Sequence, residues 1–424
     1  MNRALAPGSV KGTIRAPPSK SYTHRALVAG FLTGSPYVVQ SPLASDDTLA
    51  TARGLVALGA THRASPDQWR ITGPASLAGS ESSALVRCGR SGTTLRFLCS
   101  LAAARRGTTI FVGDAQLERR PMDGLFEALR QGGARIVPPR SGRSLPTKVT
   151  GPLRPISTAL STDISSQFLS SLLFMLPTLP GPSHLRFHGP IVSEPYVQAT
   201  VAVLAAHGIR IDLQRAGARV RGDQVYQGSS FRVPGDASSA AYLWAAAAIG
   251  HGKVRIRNIP SDWPQADLAI LNVLEEMGAE VQRHADGATV RDGPLHGIDV
   301  DLTSSPDLYP LVGVLGAFAR GTTRVRGADH VVHKESDRRD ATEQLVHGLG
   351  ARVRRRTYGL EIEGTSTPQG LRITNVEDHR VVMSGAVAAL GARSSSLIGD
   401  ARCVRKSFPD FWRVLARLGA GAAA

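Results

Sequence analysis

Apolar residues recur along this chain at helical spacing in two interleaved series, and each series is met six times. In the first, an apolar helix runs into a small-residue stop: LVALGA (ending at Ala60), ALRQGGA (Ala134), VLAAHGI (Ile209), VLEEMGA (Ala279), LVHGLGA (Ala351) and VLARLGA (Ala420). Successive stops lie 74, 75, 70, 72 and 69 residues apart. A nearly fixed period marks repeated structural units. Gly just past an apolar helix predicts its C-terminus, because Gly enters the left-handed conformation without strain.

The second series runs in phase with the first. Each unit holds an earlier helix that opens on small polar residues: Ser19-Lys20-Ser21, Ser91-Gly92-Thr93, Ser165-Ser166-Gln167, Asp236-Ala237-Ser238, Ser305-Pro306-Asp307 and Glu377-Asp378-His379. Ser, Thr and Asp before an apolar run are helix N-cap signals. β-rich segments such as GTTIFVG and GKVRIRN follow, so each unit reads as strand, helix, strand, helix, strand. The strand SVKGTIRAP precedes the first helix, and it is expected to close the sixth unit. Residues 17–232 would then form one domain of repeats one to three. Residues 1–16 and 233–424 would form the other, with crossings near Pro17-Pro18 and Val233-Pro234-Gly235.

Length agrees, since 424 residues exceed what one core organises. No run approaches a membrane helix of roughly 18 apolar residues. The N-terminus lacks an apolar signal core, and Cys88, Cys99 and Cys403 form no CxxC pair. These are expected to be reduced thiols of a cytoplasmic protein. The net charge of +16 suits anionic ligands. Nucleic acid is not expected as the partner: the cations are scattered, the only dense run is Arg352 to Arg356, and aromatics are 5% of residues.

The helix starts carry the candidate chemistry. A helix N-terminus presents free N–H groups and a positive dipole end, which favour phosphate and carboxylate. Lys20, Arg25, Arg96 and Arg380 lie in or beside such starts, and RRPM (Arg119 to Met122), KESDR (Lys334 to Arg338) and KSFP (Lys406 to Pro409) add more charge. Two facing three-fold globules would bring many of these starts to one cleft, suited to ligands with several negative charges.

The segments PSKSYTHRAL, SDDT, GRSGTTLRF, RRPM, SSQFLSSLL, SEPY, GDASSAAY, PDLYP, KESDR, EDHRVVM and KSFPDF occur in the order and spacing of one family. Over essentially its whole length the chain resembles the 5-enolpyruvylshikimate-3-phosphate synthases of the enolpyruvyl transferase family. The resemblance implies a two-domain inside-out α/β barrel, each domain three βαβαββ repeats about a pseudo-threefold axis. It implies transfer of the enolpyruvyl group of phosphoenolpyruvate to the 5-hydroxyl of shikimate 3-phosphate, by a monomer needing no metal or organic cofactor. Domain closure around the substrates is part of that expectation.

Carried over by motif, Lys20, Ser21, Arg25, Ser165, Ser166, Gln167, Ser193 and Tyr196 are expected to hold shikimate 3-phosphate, with Asp307, His330 and Lys334. Lys20, Gly92, Arg120, Gln167, Arg338, Arg380 and Lys406 are expected to hold phosphoenolpyruvate. Asp307 matches the base for the hydroxyl, Glu335 the carboxyl that handles the methyl proton, and Lys20 completes the catalytic set. The structural alternatives are a helix cap for Asp307 and an exposed ion-pair cluster for Glu335; Asp47 reads as an orienting or capping residue. His330 and His333 lack a supporting carboxylate motif, so a metal site is not expected.

Three positions depart from the family pattern. Arg90 stands where an amide is usual, His330 where Asn is usual, and Val332 where Arg is usual. The rival activity, transfer to UDP-N-acetylglucosamine, would call for Lys-Asn in place of Lys20-Ser21 and a Cys between Gly113 and Met122. Neither is present. A non-catalytic anion-binding protein of the same fold is disfavoured by the joint presence of Asp307, Glu335 and the five clamp cations.

Overall fold

The computed structural model describes residues 2–421 except 78, 80, 140, 141, 375 and 400. The chain divides into a continuous unit, Pro18–Pro234, and a split unit made of Met1–Pro17 with Gly235–Ala424. The chain passes from one to the other at 17/18 and at 234/235.

Five four-stranded sheets repeat one topology, and a sixth sheet of three strands lacks the outer hairpin strand. In the second repeat, Ala84–Gly89 lies parallel to Thr108–Gly113, which pairs antiparallel with Thr147–Thr150, and Arg135–Val137 takes the edge. The third repeat (Ser157–Ser161, Ser183–His188, Gly217–Val220, Ile211–Gln214) and the fifth (Asp299–Asp301, Thr322–Arg326, Gly359–Glu363, Arg352–Arg356) are built the same way. The residues after the first five Gly stops therefore form hairpins, where the hydrophobic pattern predicted a single strand. The outer strand of each hairpin is too exposed to show a clear apolar alternation.

The glycines at the stops do what the pattern predicted. Gly59, Gly133, Gly208, Gly278, Gly350 and Gly419 all have positive φ, between 77° and 110°. A side chain at any of the six would be strained.

The N-terminal assignment is corrected. SVKGTIRAP becomes Lys11–Arg15, which lies parallel to Lys253–Arg257 in the fourth-repeat sheet, not the sixth. Its Ile14 packs on the apolar core that contains Val254 and Ile256. The sixth sheet is closed by the shorter strand Arg3–Leu5, antiparallel to Ser396–Ile398. The first-repeat sheet borrows likewise: Ser230–Arg232, at the end of the continuous unit, lies beside Tyr37–Gln40.

The opening helices of the repeats are apolar nearly all round, which places them inside. Ala237–Ile249, Tyr309–Phe318 and His379–Gly391 pack on one another at the centre of the split unit. In the continuous unit Gly92–Ala103 packs on both Lys20–Leu32 and Ser166–Met175. The sheets lie outside these helices, each with one face toward the core. No helix of the described residues is long and apolar enough to cross a membrane.

Candidate active site

Five of the six opening helices are capped as their sequence predicts. Ser19, Ser91, Ser165, Asp236 and Asp378 each accept a hydrogen bond from a backbone N–H in the first turn. Ser305 does not. Its hydroxyl donates to the Ala266 carbonyl, and a 3-10 turn, Pro306–Leu308, leads into the helix. That turn sets Asp307 as a side chain free to reach other elements, and not as a cap.

In the continuous unit the buried Arg25 and Arg96 donate to neutral oxygens. Arg25 is buried, and among the described residues no carboxylate contacts it. Its Nε donates to Thr200 Oγ1 (3.0 Å), its Nη1 to the carbonyl and hydroxyl of Ser21 (2.9 and 2.5 Å), and its Nη2 to the Tyr196 carbonyl (2.7 Å). The guanidinium also sits over the Phe97 ring. Burial pulls its pKa down to about 10, which leaves it charged at neutral pH. Arg96, whose role the sequence did not reveal, donates to Gln167 Oε1 (2.8 Å) and to the Pro121 carbonyl (3.2 Å). Gln167 Nε2 in turn donates to Thr93 Oγ1, so its amide is oriented at both ends.

Lys20 instead meets a carboxylate, 3.3 Å from Asp47 Oδ2. Asp47 is thus the orienting residue; the cap of its own helix is Ser45, in a capping box with Thr48. Gly92 stands against Arg120, since a Cβ at that position would lie 2.7 Å from Arg120 Nη1. Ser166 and Ser193 are buried, and Ser193 holds a left-handed backbone (φ 54°, ψ 40°) at the start of the helix Glu194–Ala206. A non-glycine residue there is strained, a condition that concentrates at functional sites. Arg90 is held at the side by Asp114, 2.6 Å away.

The split unit is arranged differently. Arg338, 1% exposed, binds three carboxylates at once: Asp307 (2.7 Å), Glu335 (2.8 Å) and Asp378 (2.9 Å). Arg380 takes the other oxygen of Asp307 (2.8 Å) and approaches Asp267 (3.8 Å). Lys406 lies 2.9 Å from Glu335, and Lys334 is 3.9 Å from Asp307. Six predicted residues therefore form one network. The Glu335 side chain is 8% exposed, which removes the reading of a surface ion pair.

The network acts on its own acids. Burial alone would raise the Asp307 carboxyl, but Arg380, Lys334 and Arg338 outweigh it and hold it well below the usual carboxylate range. Asp267 goes the other way: burial raises it to about 6 against the pull of Arg380. His330 is buried, and desolvation with Lys334 nearby lowers it to about 3, so the imidazole is neutral. Asp378 and Asp267 are the residues sequence reasoning missed. Asp378 was legible only as a helix cap, and Asp267 is one acid in an otherwise apolar run. Among the described residues no His, Cys, Asp and Glu group could hold a metal ion.

Comparison with known proteins bears on both halves. The family model for EPSP synthase (3-phosphoshikimate 1-carboxyvinyltransferase) matches residues 5–415. The 3-phosphoshikimate 1-carboxyvinyltransferase of Halobacterium salinarum (strain R1) is 40% identical over 427 residues, covering 99% of each chain. That of Methanocorpusculum labreanum is 36% identical over 420 residues, again with 99% of each chain covered. Among solved structures, EPSP synthase from Acinetobacter baumannii superposes with a TM-score of 0.81 at 25% identity, covering 100% of both chains. The enolpyruvyl transferase NikO from Streptomyces tendae shares the fold at TM-score 0.78 and 18% identity, covering 100% of this chain and 98% of its own.

Proposed function

The chain belongs to the EPSP synthase family, the 3-phosphoshikimate 1-carboxyvinyltransferases, and from that premise we propose how its two residue sets divide the reaction. The enzyme transfers the enolpyruvyl group of phosphoenolpyruvate to the 5-hydroxyl of shikimate 3-phosphate and releases phosphate, a step of aromatic amino acid biosynthesis. The continuous unit is the shikimate 3-phosphate side. Lys20, Ser21, Arg25, Ser165, Ser166, Gln167, Ser193 and Tyr196 hold that substrate, with Arg25 supplying a charge that no carboxylate of the described residues offsets. Arg120, kept in place by the bare backbone of Gly92, takes phosphoenolpyruvate together with Arg338, Arg380 and Lys406.

The acid and base come from the split unit. Asp307 removes the proton of the 5-hydroxyl as the oxygen attacks, and Glu335 delivers a proton to the methylene carbon of phosphoenolpyruvate. In the second half Glu335 takes a methyl proton back as the carbon–oxygen bond to phosphate breaks, and the proton held by Asp307 passes to the departing phosphate. The carrying observation is that Asp307 and Glu335 bond to one guanidinium, that of Arg338, at 2.7 and 2.8 Å. A base held far below neutral is a weak one. Phosphoenolpyruvate competes with both carboxylates for Arg338, Arg380 and Lys406. As these cations turn to the substrate, Asp307 loses the charges that depress it and gains basicity.

We further propose a monomeric, cytoplasmic enzyme that works without metal, organic cofactor, membrane or nucleic acid. His330 and Lys334 contact shikimate 3-phosphate. The test is phosphate release by purified protein given phosphoenolpyruvate and shikimate 3-phosphate, with UDP-N-acetylglucosamine as the parallel acceptor. Release is expected only with shikimate 3-phosphate, and loss of it in both Asp307→Asn and Glu335→Gln. Full activity in either variant would remove that residue from the chemistry.

A further inference from the structure

The first-repeat sheet carries a groove that no step of the reaction uses. Its strands alternate with a period of two. Val39, Trp69 and Ile71 face the core and are buried. Arg63, Arg70, Gln40 and Gln68 stand on the other face, where with Ser229 and Ser230 they line a groove of about 660 Å³. That is the range of small-molecule sites. Arg63 and Arg70 are directly opposite in the antiparallel register, and Gln40 and Gln68 are opposite one row along.

Like charges placed directly across a ladder destabilise it. Neither arginine has a hydrogen bond or ion pair to any described residue, and no Asp or Glu lines the groove. Asp67, in the hairpin turn beside them, pairs with neither. The other repeats show that the fold does not require this. In the fourth-repeat sheet Arg257 pairs with Asp286 (2.8 Å), Arg283 with Glu275 (2.8 Å) and Arg291 with Glu280 (3.6 Å). In the fifth, Arg324 and Arg356 pair with Glu361 (3.3 and 2.8 Å), and Arg326 with Asp299 (2.6 Å). The first repeat alone of these three leaves its facing arginines without a counter-charge.

We propose that this groove is a binding site for a small polyphosphate anion, with two adjacent phosphates taken by Arg63 and Arg70. Two guanidiniums on neighbouring strands present paired forks, the geometry that suits phosphate oxygens. The amides and hydroxyls around them add neutral donors, and Pro36 and Val38 give the groove an apolar portion on which an organic substituent can rest.

Hydrogen exchange read by mass spectrometry tests this on the intact protein, with shikimate 3-phosphate present to occupy its own site. Pyrophosphate and ATP are the probes. Either is expected to slow exchange across residues 61–72, with the apparent affinity about tenfold or more weaker for each of Arg63→Gln and Arg70→Gln. Phosphate release by these variants without added probe should match the wild type, which also verifies that they fold. No slowing at 61–72, equal slowing in the double variant, or protection there by a short RNA but by neither probe would each overturn the proposal.

Discussion

The two units treat buried cations in opposite ways. In the continuous unit Arg25 and Arg96 are surrounded by hydroxyls, carbonyls and an amide. In the split unit Arg338, Arg380, Lys334 and Lys406 meet Asp307, Glu335, Asp378 and Asp267, four cations against four carboxylates. Neutral oxygens orient a guanidinium without cancelling its charge, so the first arrangement is ready for an anionic ligand. The second is already neutral, so an anion can enter only by exchanging partners. Binding strength should therefore reside mainly in the first unit, and proton transfer coupled to binding in the second.

The sharpest test of that contrast is Glu335→Gln. It keeps the shape of the network and removes the proton carrier, so kcat should fall by about 10²–10⁴-fold with little change in KM. A loss confined to KM would place Glu335 with the binding residues and break the distinction.

Asp378→Asn asks whether the compensation in the split unit is structural. Asp378 is fully buried between Arg338 and the first turn of its helix. Removing one partner of such a pair leaves a buried charge and should cost about 3–5 kcal/mol in urea unfolding. The matching change in the other unit, Thr200→Val beside Arg25, removes a neutral partner and should cost about 1–3 kcal/mol.

The pH dependence follows from two carboxyls on one arginine. The folded-state pKa of Asp267 is raised from 3.8 to about 6. Its contribution is therefore fully present below about pH 4 and lost as pH rises through 6, by about 3 kcal/mol. Asp307 is lowered, so its contribution is present above its ordinary value and lost only on further acidification. Denaturation midpoints from pH 4 to 7 should show a downward slope in the wild type that Asp267→Asn lacks. An unchanged slope would mean that Asp267 is not its source.

In the continuous unit Arg25→Lys should raise KM for shikimate 3-phosphate by about 10–100-fold, because an ammonium cannot reproduce the fork that Ser21, Thr200 and Tyr196 orient. The smallest effect is expected from Gly92→Ala. Its methyl group would displace the flexible end of Arg120 and raise KM for phosphoenolpyruvate about tenfold, with kcat nearly kept.

The repeat was legible in the sequence because each unit ends a helix on a glycine that only a left-handed conformation explains. The individual binding motifs were legible because they sit at helix starts, where local spacing speaks. What stayed hidden was long-range pairing. Nothing near Arg338 announces that Asp307, 31 residues away, and Asp378, 40 residues away, share its guanidinium. Edge strands were hidden for a similar reason: Arg3–Leu5 has three residues and no alternation to read, while the stronger Lys11–Arg15 went to a different sheet.

That last pair of strands has a consequence for synthesis. Residues 3–15 belong to sheets whose other strands lie beyond residue 250, so they leave the ribosome well before their partners. The continuous unit is complete in the nascent chain before the split unit can begin to close. During that interval two short strands have open edges, and both are defended by basic residues, Arg3, Lys11 and Arg15. The Ala6 N–H reaches the Gly421 carbonyl at 3.4 Å, so the segments around residues 6 and 421 lie side by side. A permuted gene that begins at Gly235, with the old ends joined, would encode each unit as one uninterrupted stretch. It would cross between them once, and it would remove the wait.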